Sequence, residues 1–395
     1  MRRMVAHSAL KEPPRRAATI PAALLAMLPL LAAFALLQNQ WYTSAPLESP
    51  TFGANFSCKR ATWLGLDCMR TLEQLLDDLG VRRFRLVVYW SEAEPAPGRY
   101  DWRAIDAQLD ALHARGAKAV VVIGMKGPRW PEFWFPHWLE RMTPIPAVGY
   151  PEDAALVQDY LFPYLEAAAK HLAAHPAVEA IQVENEPFVY YRGHANKRHL
   201  RPALVAREIE TVRRATDGRL PVVVSHASWF RGDPTPFWIL DHADVLAQSV
   251  YTKRQRGPWP WLYLFPYQLG PLTPDLPGQA RAAARRGKEL WIGELQAEPY
   301  EQATRDPRAL PTHELRSFSV AWLERNVTLA RRSGATRVYF WGAEWWAYLR
   351  ERRGDEALWR AARAYFRVLA LTPAFGHPSP ACGRGAGDEG LPWSG

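Results

Sequence analysis

Two glutamates, Glu186 and Glu294, carry the most informative chemistry in this sequence of 395 residues. Glu186 lies in the stretch AIQVENEPFVYY, from Ala180 to Tyr191, and Glu294 lies near the end of KELWIGEL, which begins at Lys288. Two carboxylates that face each other across a cleft can hydrolyse a glycosidic bond. One protonates the leaving oxygen, and the other attacks the anomeric carbon when the pair is about 5 Å apart. The fold must therefore bring two distant segments together.

Eight apolar segments rich in β-branched residues alternate with segments of helical periodicity, several of which end at glycine, as helix C-termini prefer. Near-continuous Val, Ile and Leu strands alternating with helices indicate a parallel sheet buried on both faces. Eight such units predict a single (β/α)8 TIM barrel over residues 51–371. The eight segments are TFGANFS, RFRLVVYW, AKAVVVIGM, VEAIQVENE, LPVVVSHA, DVLAQSVY, KELWIGEL and TRVYFWGA. A glycine-rich dinucleotide fingerprint does not follow the first strand, which argues against a nicotinamide enzyme, and we expect no cofactor.

A barrel of this kind carries its active site at the C-terminal ends of its strands. The acid of a carboxylate pair must be protonated and the nucleophile ionised, and Arg85 and Tyr251 would favour an ionised Glu294. Glu184, two residues before Glu186, is expected to point into the barrel one layer deeper and to pair with a lysine or arginine. The residues predicted at the strand ends are Arg85, Trp90, Lys126, Asn185, Glu186, His226, Tyr251, Glu294 and Trp341.

The segment VENEPF, from Val183 to Phe188, resembles the Asn-Glu-Pro motif of the clan A glycoside hydrolases, which are retaining (β/α)8 enzymes. The resemblance implies that Glu186, on the fourth strand, is the acid/base. It also implies that Glu294, on the seventh strand, is the nucleophile. The resemblance covers about residues 51–371.

The same resemblance implies binding or orienting roles for other residues at the strand ends. Arg85 would keep the nucleophile ionised, and Asn185 would bind the sugar 2-hydroxyl. Tyr251 would orient the nucleophile, and Trp341 would lie under the sugar at the −1 subsite. His226, at the end of the fifth strand, is a further substrate-binding candidate from its position alone.

The sequence departs from family five of the clan at two positions that commonly hold histidine there. Met125 and Lys126 stand at the end of the third strand, and Ser249 stands two residues before the tyrosine of the sixth. The resemblance therefore extends to the clan and not to one family. Three aromatic runs follow the third, sixth and eighth strands, where their rings are predicted to wall a sugar cleft: PRWPEFWFPHW, GPWPWLYLFPY and WGAEWWAY.

The expected function is hydrolysis of O-glycosidic bonds in an oligo- or polysaccharide by retaining double displacement. Three alternatives stay open: a catalytically silent carbohydrate-binding barrel, a transglycosylase that uses the same residues, and a Schiff-base aldolase that uses Lys126. The residues fix neither the sugar and linkage, nor endo or exo action, nor the oligomeric state.

The N-terminal part of the sequence predicts a membrane anchor. Residues 17–37 contain no charged side chain, and a helix of that length spans about 30 Å, the hydrocarbon thickness of a bilayer. The basic leader, residues 1–16, is expected in the cytoplasm, and a linker over residues 38–50 leads to an outward-facing barrel in the cell membrane. The alternative is a cleaved signal peptide and a secreted protein.

Charge and cysteine content narrow the possible partners. The formal net charge is +9, part of it in the leader, and the barrel lacks a basic helix, so we expect no nucleic-acid binding. Histidine and cysteine do not cluster with zinc spacing, and we expect no metal. Cys58 and Cys68 either form a disulfide or remain two free thiols. Residues 372–395, rich in Gly and Pro, are predicted to be a flexible tail.

Overall fold

The computed structural model describes residues 27–30, 32–33, 47–189, 197–228, 230–255, 263–264, 273–301 and 306–367. Eight parallel strands close into a barrel in which each strand pairs with its neighbours in sequence and the first pairs with the eighth. The predicted (β/α)8 barrel is confirmed. The strands are β1 (Thr51–Asn55), β2 (Arg83–Val87), β3 (Lys118–Ile123), β4 (Val178–Val183), β5 (Val222–His226), β6 (Val245–Val250), β7 (Glu289–Gln296) and β8 (Arg337–Trp341).

Helices connect the strands and pack around them. The helices are α1 (Cys58–Trp63), α2 (Cys68–Asp77), α3 (Trp90–Ala93), α4 (Arg103–His113), α5 (His137–Met142), α6 (Val157–Ala174), α7 (Pro202–Ala215), α8 (Thr235–His242), α9 (Leu276–Ala284), α10 (Val320–Arg331), α11 (Ala343–Arg353) and α12 (Ala357–Arg367). In α2, the side chain of the N-cap residue Asp67 accepts a hydrogen bond from Arg70 N. Its buried residues recur at helical spacing and face the sheet. They are Thr71, Leu72, Leu75 and Leu76.

Strand alternation decides which side chains reach the barrel interior. A small separate apolar cluster, drawn from β3 to β8, fills the interior, whereas the larger core lies between sheet and helices. Its members are Val120, Ala180, Val223, Val245, Ala247, Trp291 and Tyr339. Side chains two residues further along each strand share that inward face, nearer the C-terminal mouth.

In β7 the register relative to β6 shifts between Ile292 and Glu294. A bulge of this kind re-aims the following side chain, and here it turns Glu294 toward the interior, where it contacts Arg85 of β2. Gly293, inside the shift, would place an added Cβ only 3.1 Å from Ala247 Cβ. The bulge is therefore the local feature that delivers Glu294 to the mouth.

The predicted N-terminal anchor falls mostly outside the described residues. Of residues 17–37, residues 27–30 and 32–33 are described, and they are helical and exposed. In the part of the chain that the structure describes, no helix has the length and apolar character needed to cross a bilayer. The leader (residues 1–16) and the tail (residues 372–395) also lie outside the described residues.

Cys58 and Cys68 form a disulfide, with their Cα atoms 4.9 Å apart. The bridge links the first residue of α1 to the first residue of α2. Of the two alternatives for these cysteines, the structure has the bonded one.

Candidate active site

Arg85 is the hub of the polar cluster at the barrel mouth. The side chain is almost fully buried, and its guanidinium donates to four partners on three other strands or strand ends. Its Nη1 lies 2.7 Å from Asn55 Oδ1 and 3.0 Å from Glu294 Oε1. Its Nη2 lies 2.6 Å from Asn185 Oδ1, and its Nε lies 2.8 Å from Gln182 Oε1. One buried cation thus joins the ends of β1, β4 and β7.

Glu294 is held by two donors, one on each carboxylate oxygen. Besides the ion pair with Arg85, Tyr251 donates its hydroxyl to Glu294 Oε2 at 2.6 Å. Burial raises the pKa of the Glu294 carboxyl, and the charge of Glu186 raises it further. Arg85 and the Tyr251 hydroxyl act in the opposite direction and lower that pKa. The net direction is upward, and the two donors limit the rise.

Glu186 lies just beyond β4 in the left-handed backbone region, with φ of 48°. Its N–H donates to Ser225 Oγ at 2.9 Å, and its carbonyl accepts from Lys126 Nζ at 2.8 Å. Its side chain is buried, and it lies close enough to Glu294 for its charge to raise the pKa of that carboxyl. The structure therefore brings together the two carboxylates selected from the sequence.

Asn185 and Trp341 also lie at this mouth. Asn185 N donates to Lys126 O at 2.7 Å, which fixes the strand end beside the loop after β3. Trp341 follows Tyr339 by two residues and shares its inward face. The guanidinium carbon of Arg129 lies 3.9 Å from the centroid of the Trp341 ring, so a cation covers one face of the indole.

Arg129 belongs to an ion-pair network that the sequence did not reveal. Its Nη1 lies 2.5 Å from Glu298 Oε1, and its Nη2 lies 3.2 Å from Glu344 Oε2. Arg60 Nη2 contacts Glu298 Oε2 at 2.7 Å, and Ser57 N donates to Glu344 Oε1 at 2.8 Å. These contacts hold both carboxylates against the protein. The two carboxylates therefore hold the Arg129 guanidinium in place against one face of the Trp341 ring.

Glu184 does not take the predicted position. The strand ends at Val183, and Glu184 has φ of 57°, so strand alternation does not apply to it. Its carboxylate accepts from Met125 N at 2.8 Å and Lys126 N at 2.5 Å, and an added Cβ on Gly124 would lie 2.4 Å from its Cδ. The predicted salt bridge inside the barrel is thus wrong, because backbone amides of the loop after β3 hold this carboxylate.

Glu208 of α7 faces Glu184 and shares its buried site. Burial raises the pKa of Glu184 to about 7, although the Met125 and Lys126 amides lower it. Burial, followed by the charge of Glu184, raises the pKa of Glu208 well above its usual range. The pair therefore retains a proton at neutral pH.

His226 is not brought to the carboxylate cluster. Ser225 points into the barrel toward Glu186, so its neighbour His226 points outward, toward the helices. There His226 Nε2 lies 2.7 Å from Asp233 Oδ2 in the segment before α8. The position of His226 at a strand end predicted a substrate-binding role. Because side chains alternate along the strand, His226 instead points away from the carboxylate cluster.

Lys126 and Glu132, neither of which carried a predicted role in hydrolysis, lie beside Glu186. Lys126 is fully buried, and its Nζ is 3.6 Å from Glu132 Oε2. Its Nζ donates to two carbonyl oxygens, those of Glu186 at 2.8 Å and Val189 at 2.7 Å. A lysine committed to these acceptors is poorly suited to be a Schiff-base nucleophile, which disfavours the aldolase alternative.

The aromatic run after β3 is packed against the barrel. The Trp134 ring lies 4.3 Å from the Tyr89 ring, and Trp138 Nε1 donates to Glu94 O at 2.8 Å. In the run after β8, Trp346 Nε1 donates to Ala297 O at 2.8 Å. The run GPWPWLYLFPY lies outside the described residues except for residues 263–264. Among the described residues, no group of three or more His, Cys, Asp or Glu side chains is arranged to hold a metal ion.

Residues 67–202 match the sequence profile of the Glyco_hydro_42 family, described as beta-galactosidase. The chain is also 27% identical over 128 residues to a beta-galactosidase from an Arthrobacter species. That match covers 29% of this chain and 17% of the relative, so the chain spans less than a fifth of the length of the curated protein it matches. The resemblance to the clan A glycoside hydrolases is confirmed. The family within the clan is not assigned, because the profile covers only residues 67–202.

Solved structures of several glycoside hydrolases share this barrel fold. A GH5_18 protein from Streptomyces cattleya, in complex with GlcNAc, has a TM-score of 0.53 and 17% identity, covering 83% of this chain and 82% of that one. A GH5_18 variant from Bifidobacterium longum subsp. longum, in complex with Manβ1-4GlcNAc, has a TM-score of 0.55 and 16% identity, covering 84% and 80%. The exo-beta-1,4-mannosidase Op5Man5 from an Opitutaceae bacterium has a TM-score of 0.51 and 18% identity, covering 84% and 62%. At these identities the likeness concerns the fold.

Proposed function

We propose that this protein is a retaining glycoside hydrolase in which Glu186 is the acid/base and Glu294 the nucleophile. The observation that carries the proposal is the bridge made by Arg85, which binds Glu294 and Asn185 with the same guanidinium. It joins the two strand ends that must cooperate. Electrostatic coupling between Glu186 and Glu294 agrees with a shared site for one sugar.

The environment of Glu294 suits a nucleophile. Its two oxygens are bound by Arg85 and Tyr251, so the carboxylate is fixed in orientation before a sugar arrives. Both donors stabilise the ionised form. In the attack, one Glu294 oxygen forms an ester bond to the anomeric carbon while the bond to the leaving oxygen breaks and Glu186 gives that oxygen its proton. Removal of either donor should therefore impair the attack more than the folding of the barrel.

Asn185 and Trp341 supply candidate sugar contacts. Because Asn185 Oδ1 accepts from Arg85 Nη2 at 2.6 Å, its Nδ2 is the group oriented to donate to a sugar hydroxyl. Trp341 presents one indole face to Arg129, so its opposite face is the one suited to stack on a sugar ring. A carbohydrate substrate needs both features, a directed polar contact and an apolar platform.

We further propose that the barrel works outside the cytoplasm, anchored by residues 17–37 or released by cleavage after them. The Cys58–Cys68 disulfide supports this placement, because such bonds persist in oxidising compartments. Labelling intact cells with a membrane-impermeant reagent tests it. Labelling only after lysis would contradict the proposal.

The function is tested by screening a panel of aryl glycosides against the wild type, Glu186→Ala, Glu294→Ala and the control Glu92→Ala. Glu92 is a half-exposed carboxylate that pairs with Lys59, so its loss should leave turnover unchanged. Both active-site variants should lose most turnover: Glu186→Ala by on the order of 10²- to 10⁴-fold from the loss of acid/base help, and Glu294→Ala because no glycosyl-enzyme can form. Wild-type activity in either variant would refute the assignment. Glycan binding without sugar release by the wild type would instead identify a silent binding barrel, and sugar transfer to an acceptor would identify a transglycosylase.

A further inference from the structure

Lys126 makes contacts that are unusual for a lysine. It is fully buried at the end of β3, and its Nζ lies 2.8 Å from Glu186 O, 2.7 Å from Val189 O and 3.6 Å from Glu132 Oε2. An ammonium has three donors and no acceptor, so two carbonyls and one carboxylate match its capacity. The ammonium is therefore a fixed point between the loop after β3 and the segment after β4.

The Lys126 ammonium also fixes the main chain of Glu186. The residue has φ of 48°, a left-handed conformation that is strained for a non-glycine residue. Ser225 Oγ holds its N–H at 2.9 Å, and Lys126 Nζ holds its carbonyl at 2.8 Å. With both peptide groups bound, the direction in which the Glu186 side chain leaves the backbone is set.

Glu132 is delivered to the same place by a tight loop. Gly127 N donates to Glu132 O, and Glu132 N donates to Arg129 O, both at 2.8 Å. Arg129 is in turn anchored by its ion pair with Glu298. These contacts fix the loop, and they leave the Glu132 side chain only 16% exposed.

Three charged groups face Glu132: Lys126 on its own loop, Glu186 beyond β4 and Glu294 on β7. Burial raises the pKa of Glu132 to about 7, the ammonium of Lys126 lowers it, and the charges of Glu186 and Glu294 raise it. Lys126 and Glu132 are therefore a charge pair that lies beside both active-site carboxylates. Behind Glu294, Arg85 and the Tyr251 hydroxyl are part of the same electrostatic environment.

We propose that Lys126 and Glu132 form a positioning pair for Glu186, in which the Glu132 carboxylate holds the ammonium of Lys126 and the ammonium fixes the main chain of Glu186. This inference rests on the proposed function, in which Glu186 is the acid/base. Neither residue needs to touch the sugar. Lys126 stands at the strand end where family five of the clan commonly carries histidine. The pair would thus position the acid/base of this barrel by a different means.

Kinetics on two leaving groups separate this role from a merely structural one. A 2,4-dinitrophenyl leaving group departs without a proton, whereas a poor phenol or a sugar needs the acid. Lys126→Met should therefore reduce kcat/KM by roughly 10- to 100-fold on a poor leaving group and hardly at all on the dinitrophenyl glycoside. Equal losses on both substrates would overturn the positioning role.

Glu132→Gln tests the carboxylate of the pair and preserves the size of the side chain. Without its charge, the ammonium of Lys126 loses its ion pair, so kcat/KM should fall by roughly 10-fold on the poor leaving group and hardly at all on the dinitrophenyl glycoside. The matched control is Glu140→Gln, an exposed carboxylate on α5 that pairs with His137, and its kcat/KM on both substrates should equal that of the wild type. Equal losses on the two substrates, or no loss on either, would overturn the role of Glu132.

A measurement that needs no turnover separates failure of this inference from failure of the proposed function. Amide hydrogen exchange of residues 184–189, followed by mass spectrometry, should be faster in Lys126→Met and in Glu132→Gln than in the wild type, because the ammonium no longer fixes the main chain there. Unchanged exchange in both variants would refute the pair. A wild type that hydrolyses no aryl glycoside would refute the proposed function, while the exchange rates would still decide whether the pair fixes the main chain of Glu186.

Discussion

Replacement of Tyr251 by phenylalanine removes one hydrogen bond from the proposed nucleophile and leaves the ring in place. The hydroxyl donates to Glu294 Oε2 at 2.6 Å, and the ring packs edge-on against Tyr300 with centroids 5.8 Å apart. A hydrogen bond to a charged group contributes about 1.5–3 kcal/mol. Since one pKa unit corresponds to about 1.4 kcal/mol, loss of this bond should raise the pKa of Glu294 by about one to two units.

The sign follows from which form the hydroxyl stabilises. It donates to the ionised carboxylate, so its loss favours the protonated form, which cannot attack. The acidic limb of the kcat/KM profile should therefore move to higher pH by about one to two units, while the alkaline limb stays in place. Tyr160→Phe is the control, because Tyr160 lies on the outer helix α6, where its ring packs against Trp138 of α5. An acidic limb that stays in place or moves to lower pH would refute the reasoning.

Two further predictions concern stability. The folded protein keeps protons on Glu184 and Glu208 that these residues release in the unfolded chain above their ordinary pKa of 4.5. The free energy of unfolding should therefore fall as pH rises from 4.5 through about 7. For Glu184 the fall is at most about 3 kcal/mol. Glu208→Gln should flatten this slope in urea titrations at pH 5 and pH 8, whereas Glu210→Gln, exposed on the same helix, should keep it; equal slopes in all three proteins would contradict the assignment. Cys68→Ser opens a bridge between residues 10 apart and should lower the free energy of unfolding by about 2–3 kcal/mol, measured against Cys382→Ser; no difference between the two would show that the bridge contributes little.

The architecture was predictable because each barrel strand is a short run of β-branched residues bounded by a helical pattern. All eight predicted segments contain a strand, including Lys118–Ile123, which reads KAVVVI and is buried over its last five residues. Element ends were less predictable. The predicted strand segment RFRLVVYW runs from Arg83 to Trp90, yet the strand ends at Val87 and a helix begins at Trp90.

The main carboxylates were predictable for a different reason: strand ends of a barrel converge at one mouth, so Glu186 and Glu294 could be expected near each other, although the bulge in β7 is also needed to turn Glu294 inward. The failures are conformational. Glu184 and His226 were placed by position, but a left-handed residue at 184 and the outward alternation at 226 send their side chains elsewhere. Alternation is a reliable guide only while the strand continues.

The supporting groups had no usable sequence signal. Arg129 and Glu132 lie in the loop after β3, both with positive φ, and their positions depend on contacts with Glu298 and Lys126 that are set by the tertiary fold. A buried Lys126 at a strand end was the one available hint. Its pairing with main-chain carbonyls could be read only from the structure.

The configuration of azide products tests the assignment of the two glutamates most directly. In Glu294→Ala, azide should restore turnover of an activated aryl glycoside and give a glycosyl azide of inverted configuration, because it enters where the nucleophile stood. In Glu186→Ala, azide should attack the glycosyl-enzyme and give the retained configuration. Proton NMR of the two products distinguishes these outcomes, and the opposite assignment of configurations, or rescue of neither variant, would contradict the account.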